Sequence, residues 1–337
     1  MPSSQAVLTS AYWNDPANDF LRANTEFVGA YVDEVLENSV ISKLFKVTDS
    51  SIINPHFTSF EANGTVDVVP EGQNVPNFEM GKGHQTIFNP VKHATRIEMT
   101  YEMLRSIQDP ERDADALLNG RARYVLAAFR KQMETRALNY FNNAFVASVN
   151  PTTSQTFVAP DGQALISATH TYQTGGGFSN LLTPQAPTTW VLDDLYELSA
   201  DTLGADGKPM NIMPKYILCR QGSDTEREFK RILGYDGGGN RGQYQTTTIA
   251  GINIYEGSEL GLITTPYLTD KKAYFFLSDF TDGTFENPLK FIFNQRPWVY
   301  GEFKDGDNLS VYQDFVSYSS DGIGYLPFGI RGVAGTY

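Results

Sequence analysis

The sequence predicts an α+β protein built on one helix longer than a compact domain is wide. Three observations carry that reading. An amphipathic stretch with Gly120 as its only internal weak point runs from Asp109-Pro110 to Asn150-Pro151, a run of extended segments densely broken by Pro and Gly precedes it, and alternating strand patterns follow it. The 337 residues are 41% hydrophobic and 19% charged, a globular composition. A chain of this size typically buries roughly 75% of its unfolded surface, in one large domain or two modest ones.

From the N-terminus, residues 17–45 place Phe20, Phe27, Tyr31 and Val35 at helical spacing, with Pro16 at a helix start and Asp15 or Asn14 as cap. Residues 46–107 are punctuated by Asn54-Pro55, Asn63-Gly64, Glu71-Gly72, Val75-Pro76 and Asn89-Pro90, which predicts a long two-stranded ribbon with strands at 57–60, 66–69 and 95–103. Such a ribbon is marginal in water by itself, so it needs a surface to lie on, its own body or a neighbour.

Asp109 as N-cap, Pro110 at the first helical position and Glu111 facing the positive dipole end open the long helix, expected over 109–149. Its stripe is Leu117, Tyr124, Val125, Ala128, Thr135, Leu138, Phe141 and Phe145. At ~1.5 Å per residue it would span roughly 60 Å. Asp161-Gly162 then turns the chain into a short strand, with Leu165 and Ser167 on one face, Ile166 and Ala168 on the other, and His170 at its end. Helices follow at 188–203 and 224–233, and strands at 216–219, 252–255, 273–277, 289–293, 299–303 and 309–318.

Composition and motifs exclude several function classes. The net charge of -13 opposes a protein that grips nucleic acid by neutralising phosphates. Cys219 is the only cysteine and lies in an apolar strand, which rules out an intrachain disulfide or a cysteine zinc site and disfavours a nucleophile. The four histidines, His56, His84, His93 and His170, have no helical i, i+4 pair. His84 and His93 are expected on opposite faces of the ribbon surface. The Gly234–Gly242 string follows a helix and lacks Gly-Lys-Ser/Thr, so it reads as a surface loop, and no Gly-x-Ser-x-Gly elbow occurs. Asp193 and Asp194 diverge around their helix and make no acid/base pair. No apolar run approaches the ~20 residues of a membrane helix, and no export signal opens the chain. No cofactor and no membrane are expected, and synthesis is expected in the cytoplasm.

Asp161-Gly162, the small apolar strand, Ser167-x-x-His170, Gly175-Gly176-Gly177 and Asn180, placed after a long helix, resemble the major capsid proteins of tailed double-stranded DNA bacteriophages. Thr171 stands where that family often has proline. The resemblance covers nearly the whole chain and implies the Hong Kong 97 fold: an N-terminal arm (1–45), an extended loop (46–107), a peripheral domain (108–187) with the spine helix (109–149), an axial domain (188–296), and C-terminal strands (297–337) shared by both. It implies pentamers and hexamers closing into an icosahedral head that encloses DNA without sequence-specific binding. Asp161, Gly162, Ser167, His170 and Asn180 would be structural, with His170 pinning the glycine loop by hydrogen bonding. Asp236, Gly237, Gly238, Gly239, Asn240 and Arg241 would line a capsomer centre.

Lys82, His84, Lys92, Arg96 and Arg105 put basic charge on the ribbon, and charge complementarity makes them candidates for contact with an acidic part of a neighbouring subunit. The expected partners are further copies, a separate scaffolding protein (since the chain reaches its arm almost at once), a portal and a possible decoration protein. The expected location is the virion, after assembly in the host cytoplasm. The rivals are a nanocompartment shell of the same fold and a monomeric β-rich hydrolase or lectin.

Overall fold

The computed structural model describes residues 39–62, 80–100, 114–210, 212–234, 260–280, 286–305 and 310–336. Residues 17–38 of the helix expected at 17–45, the strands at 66–69 and 252–255, the Asp109-Pro110 helix start, Arg105, and Asp236 to Arg241 lie outside those residues.

The described chain opens with one helical turn, α1 (Ile41–Leu44), and enters a four-stranded sheet through β1 (Lys46–Asp49). The ribbon follows as β2 (His56–Ala62) paired antiparallel with β3 (Met80–Ile87). Next, β4 (Val91–Thr100) leaves the ribbon for the sheet, whose order is β1-β12-β13-β4, with β12 spanning Leu289–Asp305 and β13 Ser310–Ile323. Within 46–107, then, the described two-stranded part is 56–62 paired with 80–87. The strands expected at 289–293 and 299–303 form one strand, because the register shifts between Phe293 and Gln295 and again before Trp298, absorbing Pro297. Proline cannot donate to a ladder, and a bulge lets the strand continue past it.

Helix α2 (Ala114–Asn142) runs 29 residues, about 43 Å, and stops seven residues before the expected end at 149. Asn143 ends it. Its Nδ2 donates to Asn139 O, the Ala144 amide takes the three-residue bond to Phe141 O, and a two-residue strand, β5 (Val149–Asn150), then pairs with β6 (Gln155–Thr156). Short Asn side chains offer the backbone a competing partner, a stop signal as effective here as the later proline. The buried residues are Leu126, Phe129, Met133, Ala137, Leu138, Tyr140, Phe141 and Ala144, so of the expected stripe Leu138 and Phe141 are buried and Val125 and Phe145 pack against the core, whereas Tyr124 is 80% exposed and Ala128 is exposed. Tyr124 and Ala128 fall off the buried face because alanine and tyrosine read equally well on either face, and only contact with the sheets decides between them.

Residues 157–182, which carry β7 (His170–Thr171) and β8 (Gly177–Phe178), lead to a second sheet. Its order is β10-β9-β11-β14, with β9 spanning Pro214–Arg220, β10 Gly261–Thr265, β11 Tyr274–Ser278 and β14 Ile330–Val333. Side chains alternate across it. Ile217, Cys219, Tyr274 and Phe276 pack with α3 (Thr189–Asp201) and α4 (Asp224–Ile232), while Leu218, Phe275 and Leu277 join the core that contains α2 and the first sheet. Helix α4 starts at a capping box: Ser223 Oγ accepts from the Glu226 amide at 3.1 Å and the Glu226 carboxylate accepts from the Gly222 amide. Burial pushes the Cys219 thiol up to about 12, so it stays protonated and behaves as a small hydrophobe.

Candidate assembly site at the ribbon root

The Asp161-Gly162 turn is built as its residue types require. The Gly162 amide donates to Ala159 O at 2.9 Å, Asp161 Oδ1 accepts from the Gln163 amide at 3.2 Å, and Gly162 sits at φ +83, open to glycine at little cost. Beyond it, residues 163–169 form no strand, contrary to expectation, and Leu165 and Ile166 are both buried. Asn180 is the cause. Its fully buried side chain accepts from the Ser167 amide at 2.7 Å and donates to Leu165 O at 2.9 Å and Pro327 O at 3.3 Å, while the Ile166 amide donates to Ala144 O. Bonded to a side chain and a helix end instead of a neighbouring strand, this backbone is free to turn consecutive residues inward. Ser167 Oγ accepts from the Thr169 amide at 3.2 Å.

His170 begins a strand, where the sequence had placed it at the end of one: β7 pairs with β8 to close the Gly175-Gly176-Gly177 loop. Its Nδ1 lies 2.8 Å from Asp161 Oδ2, which also accepts from the Thr171 amide at 3.1 Å. The ring stacks on Phe178, centroids 4.9 Å apart. The expected side-chain bond to the loop is therefore replaced by a bond to Asp161. The loop itself is closed by backbone bonds between Tyr172 and Gly176 and between Gly175 and Tyr172. Gly177 has no substitute, since a Cβ there would lie 2.0 Å from His170 O. Burial alone would raise the Asp161 carboxyl, but the His170 hydrogen bond and charge and the two backbone donors outweigh it and hold the carboxyl below its ordinary value.

The ribbon root rests on this hairpin. Glu61, 5% exposed, accepts from the Gln173 amide at 3.0 Å, the Thr174 amide at 2.9 Å and Thr174 Oγ1 at 2.8 Å, and from the other strand His84 Nε2 donates to Thr171 O at 3.0 Å. Of the other basic candidates, Lys82 and Lys92 are exposed. Arg96 is already engaged within the chain, donating through Nε and Nη2 to the Asp314 carboxylate at 2.6 and 3.1 Å and lying over the Tyr312 ring, and its bond lowers the Asp314 carboxyl. His93 is not on the ribbon, contrary to expectation: it sits in β4 opposite Ser317, half-buried, in a different sheet from His84. Burial first, then the nearby Arg136 charge, lowers its pKa.

Sequence reasoning missed the buried polar residues that lock these parts together. Arg136 on α2 is paired through Nε with Asp321 on β13, both side chains almost fully buried, and donates through Nη1 to Thr153 O at 2.9 Å. Gln155 Nε2 bridges Asp321 Oδ2 and Arg136 O, each at 2.8 Å, and Tyr140 Oη donates to Asp321 O at 3.0 Å. Lys290, 2% exposed, meets Glu286 at 2.5 Å and lies over the Tyr325 ring at 4.8 Å. A stripe drawn in the true register through Met133, Ala137 and Tyr140 would have placed Arg136 inside. Glu61 has no comparable signal. Among the described residues no group of His, Cys, Asp and Glu is placed to hold a metal ion, and no helix is long and apolar enough to cross a membrane.

A two-stranded ribbon rooted on a glycine hairpin, a long helix packed on a sheet, and a second sheet packed with helices together define an α+β capsid subunit of the Hong Kong 97 type. Residues 85–325 match the family model described as phage capsid protein, well over half the chain, and the protein belongs to that family. It is thus a structural protein of the virion that builds a shell with its own copies. A solved structure from Microbacterium phage Oxtober96 has the same fold, with a TM-score of 0.50 and 11% identity over 88% of this chain and 90% of that one. The capsid of Myoviridae phage XM1 gives 0.49 and 8% over 88% and 91%, and that of cyanophage P-SCSP1u 0.48 and 10% over 88% and 87%. No curated protein matches the chain in sequence.

Proposed function

We propose that this protein is the major capsid subunit of a tailed bacteriophage, closing as pentamers and hexamers into an icosahedral head around double-stranded DNA. The observation that carries this reading is the family match over 85–325, which spans α2 and every strand of the two four-stranded sheets except β1 and β14. The net charge of -13 fits a wall that confines DNA without gripping it. A separate scaffolding protein, a portal and a possible decoration protein are the partners this role calls for, with assembly in the host cytoplasm.

Negative-stain microscopy and size-exclusion chromatography of the expressed chain, alone and with its phage's scaffolding protein, test the reading. Shells or capsomers are expected, and a persistent 37.5 kDa particle in every salt condition refutes it. Particles filled with cargo protein in place of DNA would assign the chain to the nanocompartment class. Lys82 and Lys92, exposed on the ribbon and the adjoining strand, are proposed to meet an acidic surface of the neighbouring subunit. Reversing both to Glu is expected to reduce shell yield while leaving subunit unfolding unchanged. Normal yield would dismiss the contact.

A further inference from the structure

We infer that Glu61 is the positioning residue that sets the direction of the ribbon before any neighbour meets it, an inference resting on the shell-forming role proposed above. Among the described residues, hydrogen bonds tie the ribbon to the hairpin at 170–178 at two points, one on each strand, beside the Phe57 ring that packs on Tyr325. Glu61 on β2 takes both the Gln173 and Thr174 amides and the Thr174 hydroxyl, and His84 on β3 donates to Thr171 O. One point would act as a pivot, whereas two points on opposite strands also resist rotation about the ribbon axis.

The receiving turn is itself anchored. Asp161 holds His170 and the Thr171 amide, and Tyr172 Oη donates to Leu203 O at 2.6 Å while its ring packs with Phe178 and Phe328. The dependence is one-sided. Gln173 and Thr174 are exposed, so water can satisfy their amides if Glu61 is lost. The ribbon has no such substitute for its hold on the turn. Glu61 therefore orients the ribbon without being needed to fold the body, which separates a positioning role from a purely stabilising one.

Lys82 is the only lysine or arginine between Lys46 and Lys92, so trypsin reports on the ribbon at a single bond. In the unassembled chain, Glu61→Ala is expected to speed cleavage after Lys82 about tenfold or more, the loss of a charge-assisted grip, with the body's thermal midpoint unchanged. His84→Ala is expected to act in the same direction by a smaller factor, and Glu61→Ala shells should scatter in diameter where wild-type shells are uniform. Unchanged Lys82 cleavage in both variants overturns the inference. So does faster cleavage accompanied by a matching fall in the body's midpoint, which would make Glu61 a stabiliser of the whole. Failure of the wild-type chain to form shells would instead count against the proposed function, because the Lys82 measurement needs no shell.

Discussion

Replacing Arg136 with Met while Asp321 remains would leave a carboxylate with 0% side-chain exposure facing the core, held by neutral donors such as Gln155 with no compensating charge from position 136. Removing one partner of a buried pair costs about 3–5 kcal/mol, because the survivor keeps its desolvation penalty and loses the charge that offset it. Against a total stability of roughly 5–15 kcal/mol that is a large fraction. Asp321→Leu alone should cost a similar amount by stranding the guanidinium. The double variant removes both charges, and apolar replacement of a whole pair is often neutral or stabilising by about 1–4 kcal/mol. Gln155 keeps its bond to Arg136 O, a backbone group the substitution spares. Urea unfolding of the unassembled chain, followed by fluorescence and circular dichroism, should therefore give a coupling energy of about 6 kcal/mol or more, since the two single losses of about 3–5 kcal/mol vanish together in the double variant, against about 3 kcal/mol at most for ordinary contacting residues. Additivity within about 0.5 kcal/mol would show that the pair is not what clamps α2 to β13.

Asn180→Ala removes the partner of the Ser167 amide and of the Leu165 carbonyl, at about 1–3 kcal/mol for each group left buried without one, while Pro327 O keeps the Ile330 amide, and amide exchange at Ser167 should rise with the loss of stability. Retained protection at Ser167 would mean the segment holds its shape without that side chain. The pH dependence has a fixed sign. His93 and Asp161 both have lowered folded values, so each binds more protons in the unfolded chain and its contribution is lost on acidification. The His93 share is complete above its ordinary 6.5 and declines as pH falls through the lowered value, and the Asp161 share declines only below its ordinary 3.8. Unfolding free energy measured from pH 8 to pH 4 should fall below about 6.5, and His93→Gln should flatten that first decline. An unaltered slope would assign the decline to other groups.

The architecture was readable where a physical rule acts locally. Breakers separated the ribbon from the helix, and a short apolar run marked β9. Asp161-Gly162 was a turn because of its side chains. Where two local rules competed, the sequence did not say which wins: the Asn142-Asn143 pair stopped α2 before Asn150-Pro151 could, and Pro297 bent β12 at a bulge instead of splitting it. The candidate site was half visible. His170 and Asn180 stood out, yet their partners did not. Asp161 is 9 residues from His170, Pro327 is 147 from Asn180, and Thr174 is 113 from Glu61.

By itself the sequence determined the class of chain: acidic, without disulfides, one long helix after a breaker-rich ribbon, and a strand-rich C-terminal part. Periodicity, capping and turn chemistry depend on neighbours along the chain, so they are written there in order. The tertiary structure alone decided which face of α2 is buried, that Arg136 meets Asp321, that β4 joins the sheet instead of the ribbon, and that Glu61 and His84 fasten the ribbon to the hairpin at 170–178. The reason is that the energy of a buried polar group depends on the partner that replaces water. That partner lies far along the sequence and comes near only once the chain has folded.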